Sequence, residues 1–422
     1  MLDQFFVNAC RSLLDLTGRF VPAGLNAWVE LLLPIAAIAA LAPAVMMYLT
    51  WLERKIIARM QNRLGPNRVG LFGLGQPLAD GLKMLIKEDI VPAGADQLLH
   101  TVAPVTALLP AILLFAVLPI GRNMVAVDLN VGLLYVLAVG SISSLAVFMG
   151  GWASRNKFSV LGAMRAVAQI VSYEVPSVLS VVVIIMVAGS LSLVAIVNAQ
   201  AGWWFVATPW GAVAALMFFL SGIAEVNRTP FDMPEAESEL VGGFHTEYSG
   251  MKFALWYMAE FLEAFTVCAF TTTLFLGGWH GPAWPVWPWC LAAALVLASA
   301  QTLSRPVRLL GWLGCAWAAV AWRSEVIPSW AWFLAKTYAL VFVLVWLRGT
   351  FPRLRADQLM GFAWKFLLPL ALVNVVAAGL WTLWPGLPGS LAALGLLVVS
   401  AWGLIRANAP TPLQRRTYVL VE

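Results

Sequence analysis

Residues Glu225 to Glu263 read EVNRTPFDMPEAESELVGGFHTEYSGMKFALWYMAEFLE, and apolar runs of membrane length lie on either side of them. Eight of the chain's 21 acidic residues fall in this stretch: Glu225, Asp232, Glu235, Glu237, Glu239, Glu247, Glu260 and Glu263. A carboxylate at the centre of a membrane helix costs roughly 2.5 to 3.5 kcal/mol to insert, so such groups face protein or water and serve ion movement. The stretch therefore points to an all-α integral membrane protein with a proton or quinone site.

Composition agrees. The 422 residues are 61% hydrophobic and 11% charged, where a globular domain carries about a quarter charged residues, and the mean hydropathy is +0.84. Twenty-one Trp and 22 Phe suit a many-spanned bundle with aromatic belts. The net charge of +5 is small and sits in particular loops, which reads as an orientation signal rather than nucleic-acid binding. Cys10, Cys268, Cys290 and Cys315 are scattered without C-x-x-C spacing, and His100, His245 and His280 stand alone. No metal or iron-sulfur cluster is expected in this chain. Early acidic residues and the lack of a small-residue cleavage site predict no cleaved signal peptide.

Apolar runs of span length occur near 30–51, 101–120, 131–151, 170–190, 209–226, 253–276, 329–347, 365–384 and 388–405. The chain is expected to form one transmembrane domain over 1–422 with about nine spans. Basic loops stay on the cytoplasmic side. The loop within 52–100 carries Arg54, Lys55, Arg59, Arg63, Arg68, Lys83 and Lys87, and that after the third span carries Arg155, Lys157 and Arg165. Alternation then places the acidic loop 227–252 and Arg348, Arg353 and Arg355 inside as well. Two shorter runs around Arg305 and Arg308 keep this parity only as an inserted hairpin over 283–328, or as a shallow re-entrant pair. An additional C-terminal span and tail fill 388–422. No internal repeat is evident, which weighs against a transporter built from inverted halves.

Within the first cytoplasmic loop, Gln61 to Gly70 forms a turn shaped by Gly65 and Pro66. Beyond it Leu78, Leu82, Leu85 and Ile86 recur at helical spacing, predicting an amphipathic helix in the interface. Its plainer role is a surface anchor, with Lys83 and Lys87 toward lipid phosphates. Glu174 reads as lying in the first turns of its span, either paired with Arg165 at the mouth or held as a protonable group. Glu260 and Glu263 are three residues apart on one helical face, near Glu225 at the end of the fifth span. Like charges so close do not all ionise cheaply, and that suits a proton relay. In the loop, Glu235, Glu237 and Glu239 are either a solvated patch or part of that relay. From the residues alone, a stand-alone transporter whose glutamates bind a cation, or a scaffold without redox role, competes with this reading.

The segments Ala224 to Asp232, Glu235 to Leu240, Gly243 to Ser249, Glu53-Arg-Lys55, Gly65-Pro-Asn67, Gln76 to Asp80, Gly162 to Gln169, Ser172-Tyr-Glu174 and Phe351 to Met360 resemble the quinone-site heel subunit of bacterial respiratory complex I. The resemblance covers roughly 25–280 and 329–384. It implies a subunit that is not catalytic alone and lines a quinone chamber with peripheral-arm subunits, with no residue of its own doing covalent chemistry. Arg54, Gln61, Arg63, Phe72, Asp80, Arg228 and Asp232 would line or support the chamber. Glu174, Glu225, Glu235, Glu237, Glu239, Glu247, Glu260 and Glu263 would carry charge toward antiporter-like membrane subunits, supported by Arg165, Arg348, Arg353 and Arg355. Quinone would be the substrate, membrane lipid and the other complex I subunits the partners, and the bacterial inner membrane the location. The membrane anchor of a related proton-coupled hydrogenase is the alternative within the same ancestry. Three departures stand out: Ala356 where relatives carry Tyr, the longer 283–328 connection, and the span after 387.

Overall fold

Lipid offers no partner to backbone N–H and C=O groups, so an apolar run that spans a membrane satisfies them internally as a helix. The computed structural model describes residues 23–234, 241–281 and 327–408, besides the single residues Ser12 and Trp312, with side chains from residue 32 onward. Among them the helices are α1 (Ala23–Met60), α2 (Gln76–Ile86), α3 (Gln97–Phe115), α4 (Gly132–Gly140), α5 (Ile142–Ala153), α6 (Lys157–Ala188), α7 (Leu193–Ala199) and α8 (Pro209–Glu225). They continue as α9 (Gly250–Phe275), α10 (Ser329–Thr350), α11 (Ala356–Phe362), α12 (Leu368–Leu383) and α13 (Leu387–Ala407), with a π-helical turn, Ala363–Leu367, joining α11 to α12. Eight helical stretches are long and apolar enough to cross a bilayer, with α8 a shorter apolar helix beside them. The nine runs expected from sequence are all accounted for, and the protein is a multi-pass helical membrane protein.

Two helices run past their expected ends. α1 continues to Met60, so Glu53, Arg54, Lys55 and Arg59 stand on a helix instead of in the 52–100 loop. The segment keeps helical because Leu, Glu, Arg, Lys, Ile, Ala and Met favour it and because Glu53, 7% exposed, finds cationic partners. α6 begins at Lys157, which places Glu174 well inside the helix and not in its first turns. The extension tolerates buried Gln169 because its amide donates to the carbonyls of Ala224 and Phe231 at 2.7 and 2.6 Å.

The loops assigned to the cytoplasm by charge meet at one end of the bundle. There Asp96 donates its N–H to Ala153 O at 3.1 Å and Leu354 its N–H to Pro230 O at 3.1 Å, while Ile90 N donates to Ser249 Oγ at 2.8 Å. At the far end Arg122 N donates to Ser329 Oγ at 3.1 Å and Leu133 N to Leu191 O at 3.0 Å. Residues 276–281 and the start of α10 share that far end, a parity that a hairpin and a shallow re-entrant pair would keep alike. Apart from Trp312, residues 282–326, Arg305 and Arg308 included, lie outside the described residues, as do Cys10, Cys290, Cys315, Arg415 and Arg416.

Inside a membrane, helices associate by close packing more than by hydrophobic drive. Gly222 on α8 shows the consequence: a Cβ there would sit 2.3 Å from Val267 Cγ1 on α9. The largest fully buried side chains of the core come from four helices: Trp210 of α8, Tyr173 of α6, Phe275 of α9 and Phe333 of α10, all under 2% exposed.

Candidate functional site

Charged side chains gather in three groups toward the end of the bundle where the basic and acidic loops meet. The first is built by the end of α1 and by α2. Arg54 Nη1 donates to Asp80 Oδ2 at 2.6 Å and Gln76 Nε2 to Asp80 Oδ1 at 3.0 Å. Burial pulls the Asp80 carboxyl up, but these two hydrogen bonds and the Arg54 charge hold it below the usual carboxylate range. Arg63 Nε donates to Gln61 Oε1 at 2.7 Å, and Trp51 Nε1 donates to Phe72 O at 3.1 Å. The turn carrying Phe72 is tight. Gly73 has φ +84° and a Cβ on it would lie 2.1 Å from Pro66 O, so only glycine fits. Phe72 is 73% exposed, and Leu78, Leu82, Leu85 and Ile86 of α2 are exposed with it. An apolar shelf therefore borders the Arg54–Asp80 pair.

The second group is buried. Arg228, 2% exposed, donates from Nη1 to Glu53 Oε2 at 2.7 Å. Its Nε lies 3.0 Å from Glu260 Oε1, and its guanidinium stacks over Phe261 at 4.1 Å. Burial alone would push this guanidinium down, but Glu260 and Glu53 hold it above its ordinary value. Arg348, in the last turn of α10, also donates to Glu53. Arg353 Nη2 donates to Asp232 Oδ2 at 2.6 Å. Four segments distant in sequence thus converge on one charge cluster: α1, the loop after α8, α9 and the end of α10.

The third group lines two cavities. One, of about 150 Å³, is bordered by Glu225, Asn227, His245, Glu260 and Glu263. The other, of about 90 Å³, is bordered by Glu174, Ser177, Glu225 and Thr266. Ser143, Ile170 and Glu225 border both. The walls of both are mainly apolar, and the carboxylates are the polar partners at which a bridging water can be held. Carboxylates linked through such spaces can pass protons over distances that no single hydrogen bond covers.

Of the residues singled out from sequence, Glu225, Glu260 and Glu263 share a cavity, and Glu174 joins them through Glu225. Glu247 is elsewhere: it accepts from Asn156 Nδ2 at 2.7 Å, tying the acidic loop to the start of α6. Arg355 precedes α11, its N–H donating to Gln358 Oε1 at 3.3 Å, and Arg165 lies on α6. Glu235, Glu237 and Glu239 lie outside the described residues. Sequence reasoning missed Glu53 as a site residue, because an acidic residue just past an apolar run reads as solvated. It also missed His245, which stood alone in sequence and here borders the larger cavity.

Burial pushes the His245 imidazole down to about 4, so it is neutral at pH 7. The sign follows directly. An opened loop takes up a proton below about pH 6.5 that the buried ring refuses, so the closed loop loses stability as pH falls from about 6.5 toward 4, by up to about 3 kcal/mol. Hydrogen exchange of the 243–249 amides should accelerate over that window and stay flat in His245→Gln. Equal slopes in the two proteins would assign the loop's acid sensitivity to other groups.

With this geometry in place, the comparisons with known proteins agree among themselves. A family model described as NADH dehydrogenase matches residues 33–379. The chain is 42% identical over 378 residues to the H subunit of the NADH-quinone oxidoreductase of Dehalococcoides mccartyi (strain CBDB1), across 90% of this chain and 94% of that protein. Against the corresponding NADH-quinone oxidoreductase subunit of Geobacillus kaustophilus (strain HTA426) the identity is 45% over 362 residues, 85% of this chain and 96% of the relative. For that of Geobacillus thermodenitrificans (strain NG80-2) it is 47% over 326 residues, 77% and 86%. The family match stops before α13.

Proposed function

The chain belongs to the NADH dehydrogenase family, among the H subunits of NADH-quinone oxidoreductases, and from that premise we propose that it forms the membrane side of a quinone chamber and couples quinone reduction to proton translocation. Its home is then the bacterial inner membrane, within an assembled complex I whose peripheral-arm subunits close the chamber and whose antiporter-like subunits receive the coupling.

The apolar shelf of Phe72, Leu78, Leu82 and Leu85 suits a lipid-soluble quinone arriving from the bilayer, with Arg54, Gln61, Arg63 and Asp80 at the mouth. Reducing a quinone to quinol takes two electrons and two protons. That uptake changes the charge beside Asp232 and Arg353, and through Arg228 and Arg348 beside Glu53 and Glu260. A charge change in a low-dielectric cavity shifts the proton affinity of its neighbours. From Glu260 the disturbance passes to Glu263 and Glu225 in one cavity and to Glu174 in the next. The observation that carries this reading is Glu225 bordering both cavities, because one carboxylate then joins the glutamates of two separate spaces. By the resemblance to complex I, the loop glutamates Glu235, Glu237, Glu239 and Glu247 would collect protons for this route.

The test is to tag the chain, extract it in mild detergent, and assay for inhibitor-sensitive NADH:quinone reductase activity. Copurifying activity is expected. Hydrogen-dependent dye reduction in its place would mean a hydrogenase anchor, and a solitary inactive chain would revive the transporter reading.

A further inference from the structure

A helix ends with four backbone carbonyls that have no intrahelical partner, and in lipid each must find one. At the far end of α9, the helix that carries Glu260 and Glu263, Gln200 Nε2 donates to Thr273 O at 3.0 Å and Gln200 Oε1 accepts from Gly277 N at 3.0 Å. Three further carbonyls converge on one side chain. Lys336 of α10 donates from Nζ to Leu276 O at 2.6 Å, Gly278 O at 2.8 Å and His280 O at 2.6 Å. The Trp204 ring closes the cage, with Nζ 4.3 Å from its centroid. Gly277 and Gly278, at φ +74° and +50°, turn their carbonyl chain around the ammonium. A Cβ on Gly277 would lie 2.5 Å from Trp204 Cδ1.

Three carbonyls use all three protons of an ammonium, and a cation at a helix C-terminus is favoured by the helix dipole. Such a cage is charge-assisted on every side and permits one axial position of α10 against α9. Beside it Thr337 Oγ1 meets Thr272 Oγ1 at 3.4 Å, a weaker polar tie between the same two helices. Further along, the packing is of the kind Phe265 makes with Tyr338, ring against ring at 5.9 Å, where a slip costs little in direction-specific bonds. At the opposite end of the same two helices stand Arg348 on α10 and Glu260 on α9, both tied into the Glu53–Arg228 cluster.

We infer that Lys336 is a positioning residue for the redox-linked charge cluster: by seating its ammonium in the carbonyl cage at the far end of α9, it fixes the axial register of α10 and so the placement of Arg348 over Glu53 and Glu260. The inference rests on the coupling role given to that cluster above. Lys336 stands at the opposite end of α10 from Arg348 and the glutamates, and its effect arrives through the length of that helix.

The test uses the assembled complex in native membranes. Lys336→Met should lower quinone reductase turnover per assembled complex about tenfold and displace its pH profile, since Arg348 no longer faces the carboxylates in register. Reduction of an artificial electron acceptor that bypasses the quinone should be unchanged. Lys336→Ala should regain most of its turnover in millimolar propylammonium or butylammonium, which place an ammonium in the vacated cage, and not in equal tetramethylammonium, which has no N–H. In a Lys336→Met background, the pair Thr272→Cys and Thr337→Cys, once oxidised to a disulfide, should restore turnover by fixing the same register covalently. An unchanged rate and pH profile in Lys336→Met would overturn the inference. So would a Lys336→Met complex that fails to assemble even with the disulfide formed, because register would then not be what the lysine supplies. Absence of inhibitor-sensitive quinone reductase activity in the unmutated complex would instead sink the function proposed above, leaving amine rescue of assembly to report on the cage alone.

Discussion

Arg228→Met is expected to abolish quinone-linked turnover, leaving less than about a tenth of the rate, and to lower the amount of intact complex. The reason is what the substitution leaves behind. Arg228 is the cation that Glu53 and Glu260 share, and it is 2% exposed. Removing one partner of a buried ion pair costs about 3–5 kcal/mol, because the other charge stays behind without compensation. Glu53 keeps Arg348, so the uncompensated carboxylate is Glu260, in the wall of the larger cavity. Arg228→Lys should fall between the two, since a single ammonium lacks the planar fork that reaches both carboxylates while lying on Phe261. Turnover by NADH:quinone assay and abundance by native gel decide the matter. Wild-type values for Arg228→Met would mean that the two carboxylates do not depend on this cation, and the coupling reading would fall with it.

Glu225→Gln should assemble normally yet lose proton translocation and at least about tenfold in coupled turnover. Glutamine keeps the size and hydrogen-bonding capacity of the side chain but cannot exchange a proton, so the two cavities remain and the route between them closes. Glu88→Gln, at an exposed carboxylate in the loop after α2, should leave both quantities unchanged. Proton uptake by inverted membrane vesicles, set beside quinone reduction, is the measurement. Full translocation in Glu225→Gln would show that protons bypass the junction.

How far the chain could be read from its sequence depended on the range of each interaction. The nine spans were legible because an apolar run announces itself within about twenty residues, and the shared face of Glu260 and Glu263 followed from helical spacing alone. The ends of α1 and α6 were not. Both helices continue through polar residues whose partners lie far along the chain: Arg228 meets Glu53 across 175 residues and Arg348 meets it across 295. No local pattern carries such a pairing. The resemblance to complex I located most of the acidic cluster, but Glu53 entered it only as part of a motif, with no partner named. Lys336 was passed over for a related reason, since one lysine near the end of a span ordinarily snorkels to the headgroups. Only the cage of carbonyls shows that it turns inward.

The shortness of α8 has a consequence for the lipid. Its 17 residues rise about 25 Å, against a hydrocarbon thickness of about 30 Å. A helix of that length leaves the irregular backbone joined to it within the depth of a bilayer, tolerated because protein surrounds it, as at Val226 and Arg228, both 2% exposed. On the coupling route proposed above, a bilayer that thins to meet so short a helix would bring bulk water nearer the acidic cluster. Reconstitution into phosphatidylcholines of increasing acyl length thus titrates hydration of the glutamate route without altering a single residue, and turnover should decline as the membrane thickens.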